Sequence, residues 1–445
     1  MTTLLAFLFV LGVLVFVHEL GHYLAARRVG VRVLVFSLGF GPKLLKTTRG
    51  DTEYCISAIP LGGYVKMAGE SPDDPRSGAP DEFMSKSKWQ RFQVLIAGPA
   101  MNVILAVVVL AIVLAQGAQV PAYQDEPPVV GAVEEDSPAA RAGIQPGDRI
   151  LTVAGREVDT WDRLFLEIGT RASQNVAVTL LRDGRTMAVN VTPVPQSRFE
   201  IGDIGVQPDV QPFFPRLNPG EPADRAGFKA GDTIVAVDGK RITSGRGLIA
   251  VIAANPNTQI TMTVLRDGTE LQVPVTPTLG GCTGVASNVG CIGASISEPT
   301  KTFQPGPWEA VMLSVERNIE GSGLIFRTLG GLFVGQTSIK QLQGPVAIAQ
   351  LSGESAQLGW IALFSLMATL SLNLGLLNLL PIPMLDGGHI LIMGLEGIAR
   401  RDFSMAVKEK MLLAGFVLIL MLMVTVIYND LTRVSWLEQL MPWRN

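Results

Sequence analysis

The sequence predicts a polytopic α-helical membrane protein that carries two similar α+β domains between its second and third transmembrane helices. The residues between these two spans contain an internal repeat, in which Pro138 corresponds to Pro222 at an offset of 84 residues. Four apolar segments have about the 20 residues that a helix needs to cross a bilayer, namely 4–26, 94–115, 360–380 and 411–428.

The overall composition agrees with a membrane protein and argues against a nucleic-acid-binding surface. Of the 445 residues, 48% are hydrophobic and 17% are charged, and the mean hydropathy is +0.34. The net charge of −3 leaves no broad basic face that could neutralise phosphates. We therefore expect the lipid bilayer as a partner and no nucleic acid.

The distribution of lysine and arginine predicts the orientation of the four spans. Basic residues are concentrated in the loop 27–91 and in the later turn 400–410, which the positive-inside rule assigns to the cytoplasm. Both termini and the long segment 116–357 are then expected in the periplasm of a bacterial inner membrane. The alternative for the first segment is a cleaved signal peptide, but this segment lacks a basic n-region and runs directly into His18 and Glu19.

Each copy of the repeat has the sequence pattern of a small β-rich domain. In the first copy, β-type runs at 149–153 and 176–181 flank a helical pattern at 160–168, with turn signals between them. The matching strings SPAARAG and EPADRAG, each followed by a Gly-Asp pair and a β-type run, resemble PDZ domains of the circularly permuted bacterial type. PDZ domains bind extended peptides or C-termini at a sheet edge; the alternative is that the two copies act only as steric spacers.

The first span contains a metal-binding motif. His18-Glu19-Leu20-Gly21-His22 matches HExxH, and on a helix its two imidazoles fall on one face, where they can bind the same Zn²⁺ ion. The motif interrupts a transmembrane run, where ionisable groups are costly unless they are paired or bind a ligand. A pair of purely structural histidines is therefore the weaker interpretation.

A third protein ligand is expected from a carboxylate at membrane depth. Asp386 is the candidate because it follows a Pro-Ile-Pro break at the end of the third span, and irregular backbone at that depth is tolerated where it lines a cavity. A catalytic zinc keeps one position open for water. His389 is an alternative fourth ligand, but a fourth protein ligand would close the site, so we expect His389 either beside the ligands without binding the metal or merely at the membrane interface.

Together these motifs resemble the site-2 proteases, a family of intramembrane zinc metalloproteases. HELGH in the first span and NLLPIPMLDG in a later span match the family's double signature, and the resemblance covers essentially the whole chain. It implies that His18, His22 and Asp386 bind Zn²⁺ and that Glu19 is the catalytic acid and base.

The same resemblance implies how substrate is held. Asn378 resembles a polar residue near bound substrate, while Pro381 and Pro383 resemble residues that shape the substrate-binding loop before the third ligand. The region 39–69 resembles a membrane-reentrant β-hairpin that presents substrate as an extended strand.

A substrate class also follows from the resemblance. Family members of this kind cleave single-pass membrane proteins of the anti-sigma-factor type after a first cut by another protease, and remnant signal peptides. We therefore expect release of a cytoplasmic fragment in an envelope stress response, with the PDZ pair as a periplasmic size filter. The residues alone leave two other classes open, a catalytically inactive scaffold and a transporter with a metal site.

The expected organisation has five parts. They are a first membrane half at 1–115, PDZ domains at 116–196 and 197–295, a periplasmic linker with amphipathic segments at 296–357, and a second membrane half at 358–445. Cys282 and Cys291 lie in a Gly-rich insertion of the second PDZ domain and are candidates for a disulfide in an oxidising compartment. Two reduced thiols are the alternative.

Overall fold

The computed structural model describes residues 2–70, 78–196, 201–282, 289–334 and 342–431. The chain divides into two compact units, the first formed by Met1–Gly117 with Gln304–Asn445 and the second by Ala118–Phe303. The last part of the predicted second membrane half, 432–445, lies outside the described residues, as does most of the loop between the two paired cysteines.

Four of the described helices are long and apolar enough to span a membrane, and they correspond to the four predicted spans. These are α1, α2, α9 and α11 in the following series. The helices are α1 (Thr2–Arg28), α2 (Lys88–Ala115), α3 (Pro138–Arg141), α4 (Trp161–Gly169), α5 (Pro222–Arg225), α6 (Gly245–Ala254), α7 (Pro307–Phe333), α8 (Pro345–Leu358), α9 (Trp360–Asn378), α10 (Asp386–Ile398) and α11 (Met405–Leu431).

The strands form one long hairpin in the first unit and several small sheets in the second. They are β1 (Val33–Arg49), β2 (Thr52–Met67), β3 (Ala118–Pro121), β4 (Val130–Val133), β5 (Arg149–Val153), β6 (Arg156–Glu157), β7 (Val176–Arg182), β8 (Arg185–Val191), β9 (Val194–Gln196), β10 (Ile201–Asp203), β11 (Val206–Pro208), β12 (Phe213–Leu217), β13 (Thr233–Val237), β14 (Lys240–Arg241), β15 (Ile260–Arg266), β16 (Thr269–Val275), β17 (Thr278–Leu279), β18 (Gly290–Cys291), β19 (Ala294–Ser297) and β20 (Thr300–Phe303).

The core of the first unit lies where α1, α2 and α9 meet. Val10 and Leu14 of α1 pack with Val109 of α2 and with Met367 and Ala368 of α9. The backbones of α1 and α2 come very close at Gly21, where an added Cβ would lie 2.3 Å from the carbonyl oxygen of Ala97. Glycine at this position lets the two helices approach closely within the HExxH motif itself.

The antiparallel hairpin β1–β2 begins at Val33, earlier than the expected region 39–69. The reason is packing, because Val33 and Met67 at the base of the hairpin are buried in a cluster with Val31 and Ala26. Apolar side chains farther along the hairpin are exposed instead, namely Phe40, Leu44, Leu45, Ile56 and Ile59.

The segment expected as a periplasmic linker is largely helical and does not form a separate part of the chain. Residues from Gln304 onward belong to the first unit. In α7, the Ser314 hydroxyl donates a hydrogen bond to the carbonyl oxygen of Val107 in α2, at 2.7 Å. Amphipathic composition is compatible with such a helix but does not specify that the buried face of α7 packs against α2.

The second unit consists of two modules with equivalent cores. The first module has the sheet order β6-β5-β7-β8 and a separate β4–β11 pair, and Trp161 of α4 lies in its core. The second has the order β16-β15-β13-β12-β19, with β14 paired to β13. Strands β5 and β7 and helix α4 occur where the sequence predicts them, with ends that differ by no more than a residue.

The predicted boundary after residue 196 is wrong. Ile204 and Val206 are buried in the core of the first module, and β11 pairs with β4 near its beginning. The repeat offset could not reveal this pairing. It joins the last strand of the module to the first, and these strands are separated by the rest of the module's sequence. The first module therefore extends to Pro208.

An ion pair recurs at the same place in both modules. Arg182 contacts the carboxylate of Asp148 at 2.6 Å, and Arg266 contacts that of Asp232 at 2.6 Å. Burial pushes the pKa of Asp148 upward, but hydrogen bonds from Arg182 and from the Gln145 amide outweigh it and lower the pKa below its ordinary value.

Two links stabilise the second unit, a disulfide between two cysteines and the pairing of its two end strands. Cys282 and Cys291 form a disulfide, and both are buried. Strands β3 and β20, at the two ends of the unit, pair with each other in antiparallel register. The unit therefore begins and ends at adjacent positions.

Candidate metal centre

The three predicted ligands come together in the first unit. His18 and His22 lie one turn apart on α1, and Asp386 is the first residue of α10. The Nε2 atoms of His18 and His22 are 3.2 Å apart, and they lie 3.2 Å and 3.5 Å from Asp386 Oδ2. The candidate ligand atoms all lie within 4.8 Å of one another.

Helix α2 orients the His22 imidazole. His22 Nδ1 lies 2.8 Å from the carbonyl oxygen of Val94, which can only accept, so Nδ1 carries the proton and Nε2 presents a lone pair to the site. The ring lies against Gly98, one helical turn after Val94, where an added Cβ would be 2.3 Å from Nε2. Glycine at this position makes room for the imidazole.

Asn102 of α2 contacts the other imidazole and was missed by the sequence reasoning. It is fully buried, and its side-chain amide lies 3.1 Å from His18 Nδ1. Its Oδ1 has no hydrogen-bond partner among the described residues. Rotating the amide by half a turn lets Oδ1 accept from the His18 Nδ1 proton and leaves Nε2 free for a metal. The sequence feature that could have identified Asn102 is its polar amide side chain within an apolar span.

The loop between α9 and α10 fixes the position of Asp386. It folds back on α10 so tightly that a Cβ on Gly387 would lie 2.2 Å from the Leu379 carbonyl oxygen, and one on Gly388 would lie 2.1 Å from that of Ile382. Met384 adopts a positive φ of 97°, a conformation that non-glycine residues rarely adopt. The loop is therefore tightly constrained just before the ligand.

A cavity of about 250 Å³ opens beside the three ligands. Glu19 lines it, as does Val65 of β2. Asn378 also lines it, with Nδ2 at 3.5 Å from His18 Nε2. Pro381 and Pro383 are not among the residues that line this cavity, and Pro383 instead contacts α11.

His389 lies one turn after Asp386 on α10 but is not part of the ligand cluster. It lines a second cavity of about 230 Å³, which Asp386, Arg91, Glu396 and Lys408 also line. Among the described residues, the group whose ligand atoms could share a metal contains His18, His22 and Asp386, without His389.

The donor set fits a catalytic zinc. Two imidazole nitrogens and one carboxylate oxygen are typical of sites that keep a fourth position open, and here the neighbouring cavity would supply that position. The Val94 carbonyl fixes the tautomer of His22, as metal-binding histidines require.

The chain is similar to known proteases over nearly its whole length. The model of Peptidase family M50 matches residues 6–422. The Regulator of sigma E protease of Salmonella typhi is 34% identical, over 97% of this chain and 98% of that protein. The Regulator of sigma-E protease of Escherichia coli is 33% identical, over the same shares of both chains.

Two further similarities differ in weight. A Ralstonia nicotianae protein, named provisionally as a zinc metalloprotease, is 34% identical over 97% of this chain and 99% of that protein. Among solved structures, the PDZ domain of an SdrC-like protein from Listeria monocytogenes is 18% identical, covering 20% of this chain and 92% of that one. Its TM-score of 0.17 is too low to support an argument about the fold. The family match over nearly the whole chain is decisive: this protein belongs to peptidase family M50 and is a zinc metalloprotease.

Proposed function

We propose that this protein hydrolyses peptide bonds within or near the transmembrane segments of single-pass membrane proteins, with Zn²⁺ held by His18, His22 and Asp386. The observation that carries the proposal is the position of these residues. Two lie inside the apolar helix α1, and the third lies eight residues after the end of the apolar helix α9, at the start of α10. Ionisable residues at membrane depth that converge on a cavity indicate chemistry at that depth.

In the proposed reaction Glu19 handles the protons. Zn²⁺, when bound, would acidify water and polarise the scissile carbonyl. Glu19 takes a proton from the attacking water and passes it to the leaving amine. Glu19 and Asn378 both line the cavity, and Asn378 can donate a hydrogen bond to a substrate carbonyl there.

A transmembrane substrate must unwind before it can react, because its carbonyls are bonded within the helix. Tyr64, Val65 and Met67 of β2 line the metal cavity, so this strand can pair with an extended substrate there. The exposed apolar side chains of the hairpin suit a segment that dips into the bilayer. The hairpin is thus proposed as the membrane-reentrant element that presents substrate.

Replacing Glu19 by glutamine tests this mechanism. The variant should keep Zn²⁺, because the three ligands are intact, and lose about 10²–10⁴-fold in turnover, because proton transfer is lost. Cleavage of a reconstituted membrane peptide and zinc content are measured together. His22→Ala is the matched comparison and should lose both zinc and activity. Near-normal turnover in Glu19→Gln would rule out the assigned role.

The proposed substrates are membrane-anchored anti-sigma factors after a first cut, and remnant signal peptides. Support comes from relatives at 33–34% identity whose name is Regulator of sigma-E protease. The four apolar helices and the basic loops support residence in a bacterial inner membrane, with cytoplasmic access to the site. Membrane proteins that accumulate uncut in cells producing Glu19→Gln, and not in wild type, would identify the substrates directly.

The two modules of the second unit are proposed as PDZ domains that exclude substrates with a bulky periplasmic portion. Their insertion between the second and third apolar helices supports this role, because the positive-inside rule would put them across the membrane from the basic loops. Deleting 118–303 and joining Gly117 to Gln304 through a short flexible linker should permit cleavage of substrate with an intact outer domain. If the deletion variant still cleaves the short form but does not cleave the substrate with an intact outer domain, the proposed exclusion role would be contradicted.

A further inference from the structure

Helix α11 is held to the rest of the first unit by few contacts. Along most of its length its apolar side chains are exposed, including those of Leu413, Phe416, Leu418, Met421 and Val424. Exposed apolar surface on a predicted span suits lipid, but lipid contacts do not fix the helix in one position. The specific contacts that do so are therefore informative.

One such contact lies in the last turn of α11. Asp430 is 2% exposed, and its carboxylate accepts hydrogen bonds from the backbone amides of Gly344, Val346 and Ala347 at 3.0 to 3.1 Å. The first amides of a helix have no intrahelical partner and carry partial positive charge. Asp430 therefore caps α8 from a different helix and fixes the end of α11 against it.

A second contact lies in the middle of α11 and reaches the loop before the metal ligand. A Cβ added to Gly415 would lie 2.0 Å from the carbonyl oxygen of Pro383 and 2.7 Å from its carbonyl carbon. The two backbones thus touch directly, and Pro383 is three residues before Asp386. A third contact, between Lys408 and the buried carboxylate of Glu396 in α10, joins the start of α11 to the helix that Asp386 begins.

We propose that Gly415 and Asp430 are positioning residues for the metal ligand Asp386. Gly415 approaches the loop at the carbonyl group of Pro383, whereas Gly388 of α10 approaches the same residue at its nitrogen, so the loop is held between α10 and α11. Asp430 fixes the helix that carries Gly415, by anchoring its far end on α8. The proposal rests on the metal site proposed above and explains why an otherwise lipid-facing helix has a buried carboxylate in its last turn.

The test measures metal binding rather than proteolysis. Gly415→Ala in the full-length protein should weaken Zn²⁺ binding by about 10- to 100-fold, the usual effect of losing a group that orients a ligand. Asp430→Asn should act in the same direction and less strongly, because one amide oxygen can still accept. Competition with a chelator gives the affinity, and the absorption spectrum of the Co²⁺-substituted protein reports the ligand geometry, which a purely structural role would leave unchanged.

Two controls make the result decisive. Gly394→Ala adds the same methyl group on α10, where nothing lies within 4 Å of it, and should bind as wild type does. If Gly415→Ala matches Gly394→Ala in affinity and spectrum while His22→Ala loses zinc, the positioning role is wrong and the metal site stands. If His22→Ala also keeps full affinity, the metal site fails and the inference fails with it. Should Gly415→Ala not elute as a folded protein, Asp430→Asn decides by the same two measurements.

Discussion

Substituting Gly98 by alanine should disable the metal centre through a single methyl group. An ideal Cβ at this position lies 2.3 Å from His22 Nε2, 2.7 Å from Cε1 and 2.8 Å from Cδ2. Ordinary contact begins near 3.4 Å, so the imidazole must retreat by about 1.1 Å, the difference between 3.4 and 2.3 Å. Metal–ligand distances tolerate only about 0.2 Å, so a shift of this size removes His22 as a ligand.

We expect Gly98→Ala to lose about 10²-fold or more in activity, the effect of an ångström of misplacement at a catalytic site. Zinc binding should fall with activity, because the displaced group is a ligand. Zinc content after dialysis and cleavage of a reconstituted membrane peptide are measured on the same preparation. Gly12→Ala, a matched change on α1 with nothing within 4 Å, serves as the control. A Gly98→Ala protein with the zinc content and activity of Gly12→Ala would refute the reasoning.

Three further predictions concern the other histidine of the metal centre and the two modules of the second unit. Asn102→Ala should weaken zinc binding about 10- to 100-fold by releasing His18, measured by chelator competition. The lowered folded pKa of Asp148 stabilises the first module above the ordinary aspartate pKa, and this contribution disappears as pH falls through the lowered value. Arg182→Gln should therefore move the acid-unfolding midpoint to higher pH, as followed by hydrogen exchange; an unchanged midpoint would contradict this. Replacing both cysteines of the disulfide by serine should destabilise the second module by about 2–3 kcal/mol on the chain-entropy model, measured by denaturant unfolding.

Features encoded by local patterns could be predicted from the sequence. The four spans follow from length and hydropathy, and the HExxH spacing places two imidazoles on one face of α1. Asp386 was predicted as their neighbour from the proline break before it and the family resemblance. The structure brings it to the two histidines as expected.

Features that depend on contacts between distant segments could not be predicted. The contact of Asn102 with His18 joins residues 84 positions apart, and the hydrogen bonds of Asp430 to α8 join residues more than 80 positions apart. Separations of this size are unrelated to the short periods at which residues recur on one face of a helix or strand, so no local pattern indicates these contacts. The return of β11 to β4 escaped prediction for the same reason, because a repeat offset aligns two modules without revealing where each one closes.

The pairing of β3 with β20 has a consequence for the folding of the first unit. The chain leaves this unit at Gly117 and returns at Gln304, and a Cβ on Gly117 would lie 3.3 Å from the Cβ of Gln304. As an open loop, the 186 residues from 118 to 303 would oppose the docking of α9 on α2 through closure entropy. Once the two end strands pair, Ala118 and Phe303 are held as partners and almost no open loop remains, so most of the closure entropy is already lost when the second unit folds. Folding of the second unit thus holds close together the two chain segments that carry the metal ligands, α1 with α2 and α9 with α10.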